Sequence, residues 1–449
     1  MLYAKKDEKQ LDINLFKEPT AEYRGAPFWS WNCALDESEV IEQVSMFKRM
    51  GFGGAHAHCR SGLDTPYLSD KFNSCVVAAA EAARKEDMLL YLYDEDRWPS
   101  GNAGGMATKD KRFAARYLLF TVHKSKTPPK VADDGTLTEG KLLLARYKVS
   151  AVAGRLLGYK RLSNTENPVG IVWHAYLTTE KPRSFLNNEP YLNTLDKAAV
   201  DRFVEITYGA YEKTVREHFG ATIRTMFTDE PQVHMYKKYV CPYPYQSKDR
   251  AWTDDFDATF TKVYGYSILD RLPELFWATR DGNREVRQHY FDHLAERFAS
   301  AFADNLGGRC REMGISLTGH LMEEPRLISQ TRSSGEAMRQ YRCFDIPGID
   351  MLCARHEFTT AKQAQSAVRQ YGREGMLSEL YGVSRWDNSF ANYKLSADWQ
   401  AALGVTLRVP HLSHMSLKGI AKRDYPASMF YHSPWWEQYK YIEDHFARV

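Results

Sequence analysis

Acidic and histidine side chains recur at one kind of place in this 449-residue chain: the ends of short apolar runs. "ATIRTMF" leads through Thr228 to Asp229, Glu230 and Pro231; "GMLSEL" carries Glu379 and leads to Tyr381; "GISLTGH" ends in His320 and continues to Glu323 and Glu324. "MLLYLYDED" closes on Asp94, Glu95 and Asp96, "FGGAHAH" on His56 and His58, and "GVTLRVPH" on His411, with His414 beyond. "GIDMLC" leads to His356 and Glu357. For any one of these acids an ordinary solvated turn is an adequate reading. Together they are harder to dismiss, because like charges that converge cost stability unless function or a cation compensates them.

Two carboxyl groups across a small gap are what glycoside cleavage requires. One protonates the leaving oxygen, and the other attacks the anomeric carbon or activates water. Glu230, the longer side chain just past a strand end, suits the acid. Glu379 lies in an apolar setting where a carboxylate needs a partner, and it suits the nucleophile or base, with Glu324 in reserve. Asp229 would orient a sugar hydroxyl or hold the acid's geometry. Asp94, Asp96, His56, His58, His320 and His411 are expected to bind hydroxyls or a cation. Tyr381 is a further binding residue, and Trp29, Trp31, Trp98 and Trp386 are stacking candidates.

A zinc-dependent barrel metallohydrolase of the amidohydrolase kind is the rival. His56 and His58, two apart, point to one side of a strand, and with His320, His356 and His411 or His414 they offer zinc ligands. That arrangement usually places its histidine pair on the first strand and a lysine on the fourth. Here the pair falls on the second, and the fourth ends in "TDEP".

These residues need a scaffold that brings strand ends together. Apolar runs at 26–31, 52–58, 88–96, 221–227, 314–320, 348–353, 375–380 and 404–411 read as eight strands. Helix-like stretches separate them. Asp36 is a candidate N-cap with Glu39 three residues on, Ser69 caps the next helix, and Thr194 or Asp196 the one after. Between about 113 and 190 the rhythm changes to β-like runs with turn material between them. The expected fold is α/β: a (β/α)8 TIM barrel, with residues 20–112 giving strands 1–3, a β-rich subdomain inserted at 113–190, and residues 191–449 giving strands 4–8. A doubly wound nucleotide fold needs a Gly-rich turn between strand and helix. "GFGG" precedes its strand, and "GNAGG" lacks the spacing.

Composition sets broad limits. Apolar residues are 43% and charged ones 26%, as in ordinary globular chains. Net charge is +3, from 60 basic and 57 acidic residues, so nothing points to a nucleic-acid or membrane partner. No apolar run of about 18 residues suggests a span. "MLYAKKDEKQLDINLF" has no apolar leader region, which predicts a cytoplasmic location. Seven cysteines without a C-x-x-C pair are expected to be reduced.

"YRGAPFWSWN", "GFGGAHAHCRSGLDTPYLS", "YLYDEDRWPSGNAGG", "FTDEP" and "KRDYPASMFYHSPWWEQYKYIEDHFAR" together resemble the catalytic barrel of glycoside hydrolase family 106, the α-L-rhamnosidase-like proteins, from about residue 20 onward. "YDEDRWPSG" is the most specific block. The resemblance implies hydrolysis of a glycosidic bond, that of an α-L-rhamnoside among the candidates, by two glutamates with inversion. It implies a glycoside or oligosaccharide as the binding partner and no required cofactor, with room for a calcium ion near the site. The family's C-terminal β-sandwich domains are expected to be absent from this chain. The strand-four and strand-seven placement is also that of retaining barrel glycosidases, which typically carry Asn-Glu on strand four where this chain has Asp-Glu.

Overall fold

The computed structural model describes residues 1–3, 10–233, 247–352, 356–419 and 429–449. Cys241, Cys353 and part of the last resemblance block (422–428) lie outside the described residues. The other five cysteines are free thiols.

Each of the eight expected runs overlaps a strand: β1 (Phe28–Trp31), β2 (Gly54–Cys59), β3 (Leu89–Tyr93), β4 (Ile223–Asp229), β5 (Ser316–His320), β6 (Ile346–Met351), β7 (Leu377–Leu380) and β8 (Leu407–Pro410). Each pairs in parallel with the next in chain order. Just past β8, the two-residue strand Ser413–His414 pairs with Trp29 and Ser30 of β1, so the sheet curls into a nearly closed barrel. Helices cover its outside, which is the arrangement parallel strands require, since both faces must be buried.

The helix ends follow local sequence. The Asp36 side chain accepts hydrogen bonds from the N–H groups of Ser38 and Glu39 at the start of Glu37–Arg49, Ser69 accepts from Phe72 N, and Asp196, rather than Thr194, accepts from Ala198 N. The long helical stretch expected around 284–312 is Glu285–Phe298, a π turn at Ala299–Ala303, and Asp304–Met313.

Strand alternation decides what faces the barrel interior. Phe28, Leu89, Tyr91, Tyr93, Phe227, Leu377, Leu407 and Val409 fill it, with Leu2 in the same cluster. Trp29 and Trp31 belong to the core between sheet and helices, packed edge-on to each other and against Phe47 and Phe72. The C-terminal helix Tyr439–Phe446 is tied on by a buried ion pair. Arg408 Nη1 and Nη2 donate to Glu443 at 3.0 and 2.9 Å, and Gly25 N donates to the same carboxylate at 2.7 Å.

A five-stranded antiparallel sheet is built from Arg116–Thr121, Lys141–Val152, Arg155–Leu162 and Val172–Thr179. Its edge strand, Lys248–Trp252, comes from after β4. Stacked Phe120, Trp173 and Phe276 pack one face of it. No helix among the described residues is long and apolar enough to cross a membrane.

Candidate active site

Parallel strands deliver their last residues to one end, and here those residues are acids and imidazoles. A cavity of about 510 Å³ opens there, lined by Asp229 at the end of β4 and Glu230 just after it, His320 at the end of β5, Asp350 in β6, Glu379 in β7 and His411 after β8. Gly319 makes the close approach possible. It sits at φ +132°, and a Cβ there would collide with Thr228 O of β4. Without it His320 could not lie against Asp229 and Glu230. Glu230 itself adopts a left-handed backbone at φ +46°, a conformation a non-glycine residue holds at a cost of about 1–3 kcal/mol.

His320 is the hub. Its Nε2 lies 2.7 Å from Glu379 Oε2 and 3.7 Å from Asp229 Oδ1, and its Nδ1 lies 3.8 Å from Glu230 Oε1. Burial alone would depress its pKa, but the hydrogen bond to Glu379 and the charges of Glu379 and Asp229 outweigh burial and hold the ring protonated. The two glutamates respond in opposite directions. Burial pushes Glu230 up to about 8. Burial also works against ionised Glu379, but the hydrogen bond and charge of His320 win and hold it below the usual carboxylate range. The compensating cation that converging acids demand is thus supplied by the protein itself, in the His320 imidazolium. Trp98 Nε1 donates to Glu230 Oε2 at 2.6 Å, and Tyr93 Oη donates to Asp229 Oδ2 at 2.6 Å.

The other expected site residues divide. His411 lines the cavity, its Nε2 3.9 Å from Glu379 Oε1. Trp98 lies at the rim, 36% exposed. Asp96 is just behind, accepting from Arg97 Nε and Asn187 Nδ2. Asp94 is fully buried, bonded to Ser100 Oγ and Tyr208 Oη, and does not line the cavity. His56 and His58 lie below, among barrel aromatics: His56 stacks on Tyr91 and reaches Ala26 O, and His58 packs on Tyr93. Burial drives both of their pKa values down. Glu324 stands aside, its oxygens taken by Leu321 N, Asp350 N and Tyr341 Oη, so it acts as a fastener between loops. Trp29 and Trp31 are completely buried on the helix side, because strand alternation turns Phe28 and Ser30 inward instead. Tyr381 is buried against Tyr393, and exposed Trp386 is not part of the cavity wall.

The zinc constellation is not assembled. His356 is exposed, its ring against Trp399, while His56 and His58 lie in the barrel core. Among the described residues the cavity's one compact donor set is Asp229, His320 and Glu379. Calcium takes six to eight oxygen ligands. Two carboxylates shared with an imidazole already bonded to one of them do not fit it.

Several cavity residues are not signalled by the sequence reading. Asp350 is the register partner of Glu379 on the neighbouring strand, and its Oδ1 is buried without a hydrogen-bond partner. Burial and the Glu379 charge push its pKa well up. Arg60, following β2, brings a guanidinium to the wall. Phe185 (39% exposed) arrives from the 113–190 segment and, with Trp98, Leu352 and Val383, gives the mouth an apolar rim.

Glu95 has a role of its own. Its carboxylate accepts five backbone N–H groups, from Asp96, Gly101, Asn102, Ala103 and Gly104, at 2.6–3.0 Å. This folds the "WPSGNAGG" loop, whose first residue, Trp98, reaches Glu230. Glu95→Gln turns an amide NH2 toward backbone donors. We expect it to lower unfolding free energy by about 3 kcal/mol, read from urea denaturation, with Glu95→Asp intermediate.

No family model matches this chain, and no curated protein matches it by sequence. Among solved structures it is similar to a rhamnosidase from Novosphingobium sp. PP1Y, with TM-score 0.68 and 14% identity over 97% of this chain and 60% of that one. It is more distantly similar to a β-galactosidase from Halorubrum lacusprofundi (TM-score 0.49, 12% identity, covering 94% of this chain and 57% of that chain). A β-galactosidase from Marinomonas ef1 is similar at TM-score 0.47 and 8% identity (94% and 59% covered). The likeness to the rhamnosidase is one of fold, and this chain spans 60% of that protein's length.

Proposed function

We propose that the chain hydrolyses glycosides on a (β/α)8 barrel, with Glu230 as general acid and Glu379 as the base that activates water. The observation that carries this is the opposed protonation of the two glutamates on the two nitrogens of one imidazole. Glu230 keeps its proton and Glu379 gives its proton up. Pushing two carboxyls apart in pKa is how one site holds an acid and a base at the same pH. The assignment of Glu379 as base rather than nucleophile is supported by the ring that stands between the pair.

In this reading the sugar sits over Asp229, Asp350 and His411, which present oxygen and nitrogen atoms to its hydroxyls. Its apolar faces meet Trp98 and Phe185. Such a rim suits a 6-deoxy sugar with its methyl group, and together with the family resemblance and the fold shared with a rhamnosidase this supports an α-L-rhamnoside as substrate.

Hydrolysis of a panel of aryl glycosides, with and without chelator, tests the proposal. Turnover of a rhamnoside that survives chelation supports it. Loss with chelator and rescue by zinc overturns it in favour of metal-assisted hydrolysis. A pH profile gives a second check. The acid must be protonated to act, so kcat/KM is expected to fall as pH rises through about 8, the Glu230 value. On the acid side activity holds until Glu379 takes up a proton, below the usual carboxylate range.

A further inference from the structure

Far from the barrel mouth, helix Asp70–Lys85 and the short turn Arg216–His218 bring three metal-ligating side chains together. Glu81, Glu217 and His218 each offer a ligand atom, and all three atoms lie within 4.8 Å of one another. His218 Nε2 is 3.3 Å from Glu81 Oε1 and 3.9 Å from Glu217 Oε1. The His218 side chain is only 4% exposed, and its Nε2 has no hydrogen-bond partner. A buried imidazole nitrogen that faces two carboxylates without an aligned hydrogen bond to either, the nearer oxygen being 3.3 Å away, is incompletely satisfied unless something enters the gap. Glu81 Oε2 is engaged by Arg84 Nη2 at 2.7 Å, which fixes the carboxylate and leaves Oε1 turned to the gap. Glu217 is 76% exposed, so the site opens to solvent on one side.

We propose that Glu81, Glu217 and His218 bind a divalent transition-metal ion of the zinc type, with water at the open position. One nitrogen and two carboxylate donors with a free fourth position match zinc's tetrahedral preference, and an imidazole selects against calcium and magnesium. The ion would clip helix Asp70–Lys85 to the segment that leads through Gly220 into β4, the strand that runs up to Glu230. Its role is to brace the outer helices, not to enter the reaction.

The test is zinc titration by calorimetry of the chelator-stripped full chain, with thermal melts in parallel. The wild type is expected to bind zinc and to melt at a higher temperature in its presence. His218→Ala should abolish this binding. Glu217→Gln, on a side chain too exposed to endanger folding, should weaken it at least tenfold. Glu379→Gln should leave it unchanged. Absence of binding to the wild type, or unchanged binding in Glu217→Gln, overturns the proposal. Loss of binding in Glu379→Gln with retention in His218→Ala would place the ion at the barrel mouth and overturn it equally.

Discussion

A Glu230→Gln variant should lose about 10³–10⁴-fold in kcat/KM on glycosides with poor leaving groups, and far less on a dinitrophenyl glycoside. Proton donation matters in proportion to the basicity of the departing oxygen, and positioned acids contribute about 10²–10⁴-fold. Glutamine preserves the length of the side chain and its place beside Trp98, whose indole N–H donates to Glu230 Oε2. The variant should therefore stay folded and bind substrate, with the loss in kcat rather than KM. The proton itself is placed by environment: burial holds Glu230 protonated, with the neighbouring Asp229 charge adding to the effect. A uniform loss across all leaving groups would assign Glu230 some role other than acid.

Glu379→Gln should behave differently. Water activation is needed whatever group departs, so a loss of about 10⁴-fold or more is expected with the dinitrophenyl and the alkyl glycoside alike. The variant removes the 2.7 Å partner of His320, yet the imidazolium still faces Asp229 and Glu230. The fold is thus expected to survive, as checked by circular dichroism. The contrast between the two variants, one sensitive to the leaving group and one not, separates acid from base better than either alone. Equal dependence on the leaving group in both would overturn the assignment of roles.

Much of this site is legible in sequence because strand ends are legible. Asp229, Glu230, His320, Glu379 and His411 each follow or close an apolar run, and parallel strands send all such ends to one rim. Asp350 is hidden because it sits inside its run, "GIDMLC", where apolar neighbours argue for a plain buried strand. Trp29 and Trp31 mislead for the opposite reason: aromatic type suggests sugar stacking, but side-chain direction is set by strand period, and a one-residue shift exchanges the two faces. The acids of "DED" are indistinguishable by composition, yet Asp94 is buried beneath the rim, Glu95 gathers a loop, and Asp96 braces Asn187. Phe185 and the edge strand Lys248–Trp252 depend on contacts between distant segments, for which no local pattern exists.

The left-handed backbone at Glu230 also bears on the history such a chain can have. Glycine would occupy that position without strain and without a carboxyl to desolvate. A copy of the gene released from the need for the proposed general acid therefore gains stability by discarding this one side chain. Descendants of such a copy should drift toward glycine or asparagine at 230 while the barrel beneath stays intact.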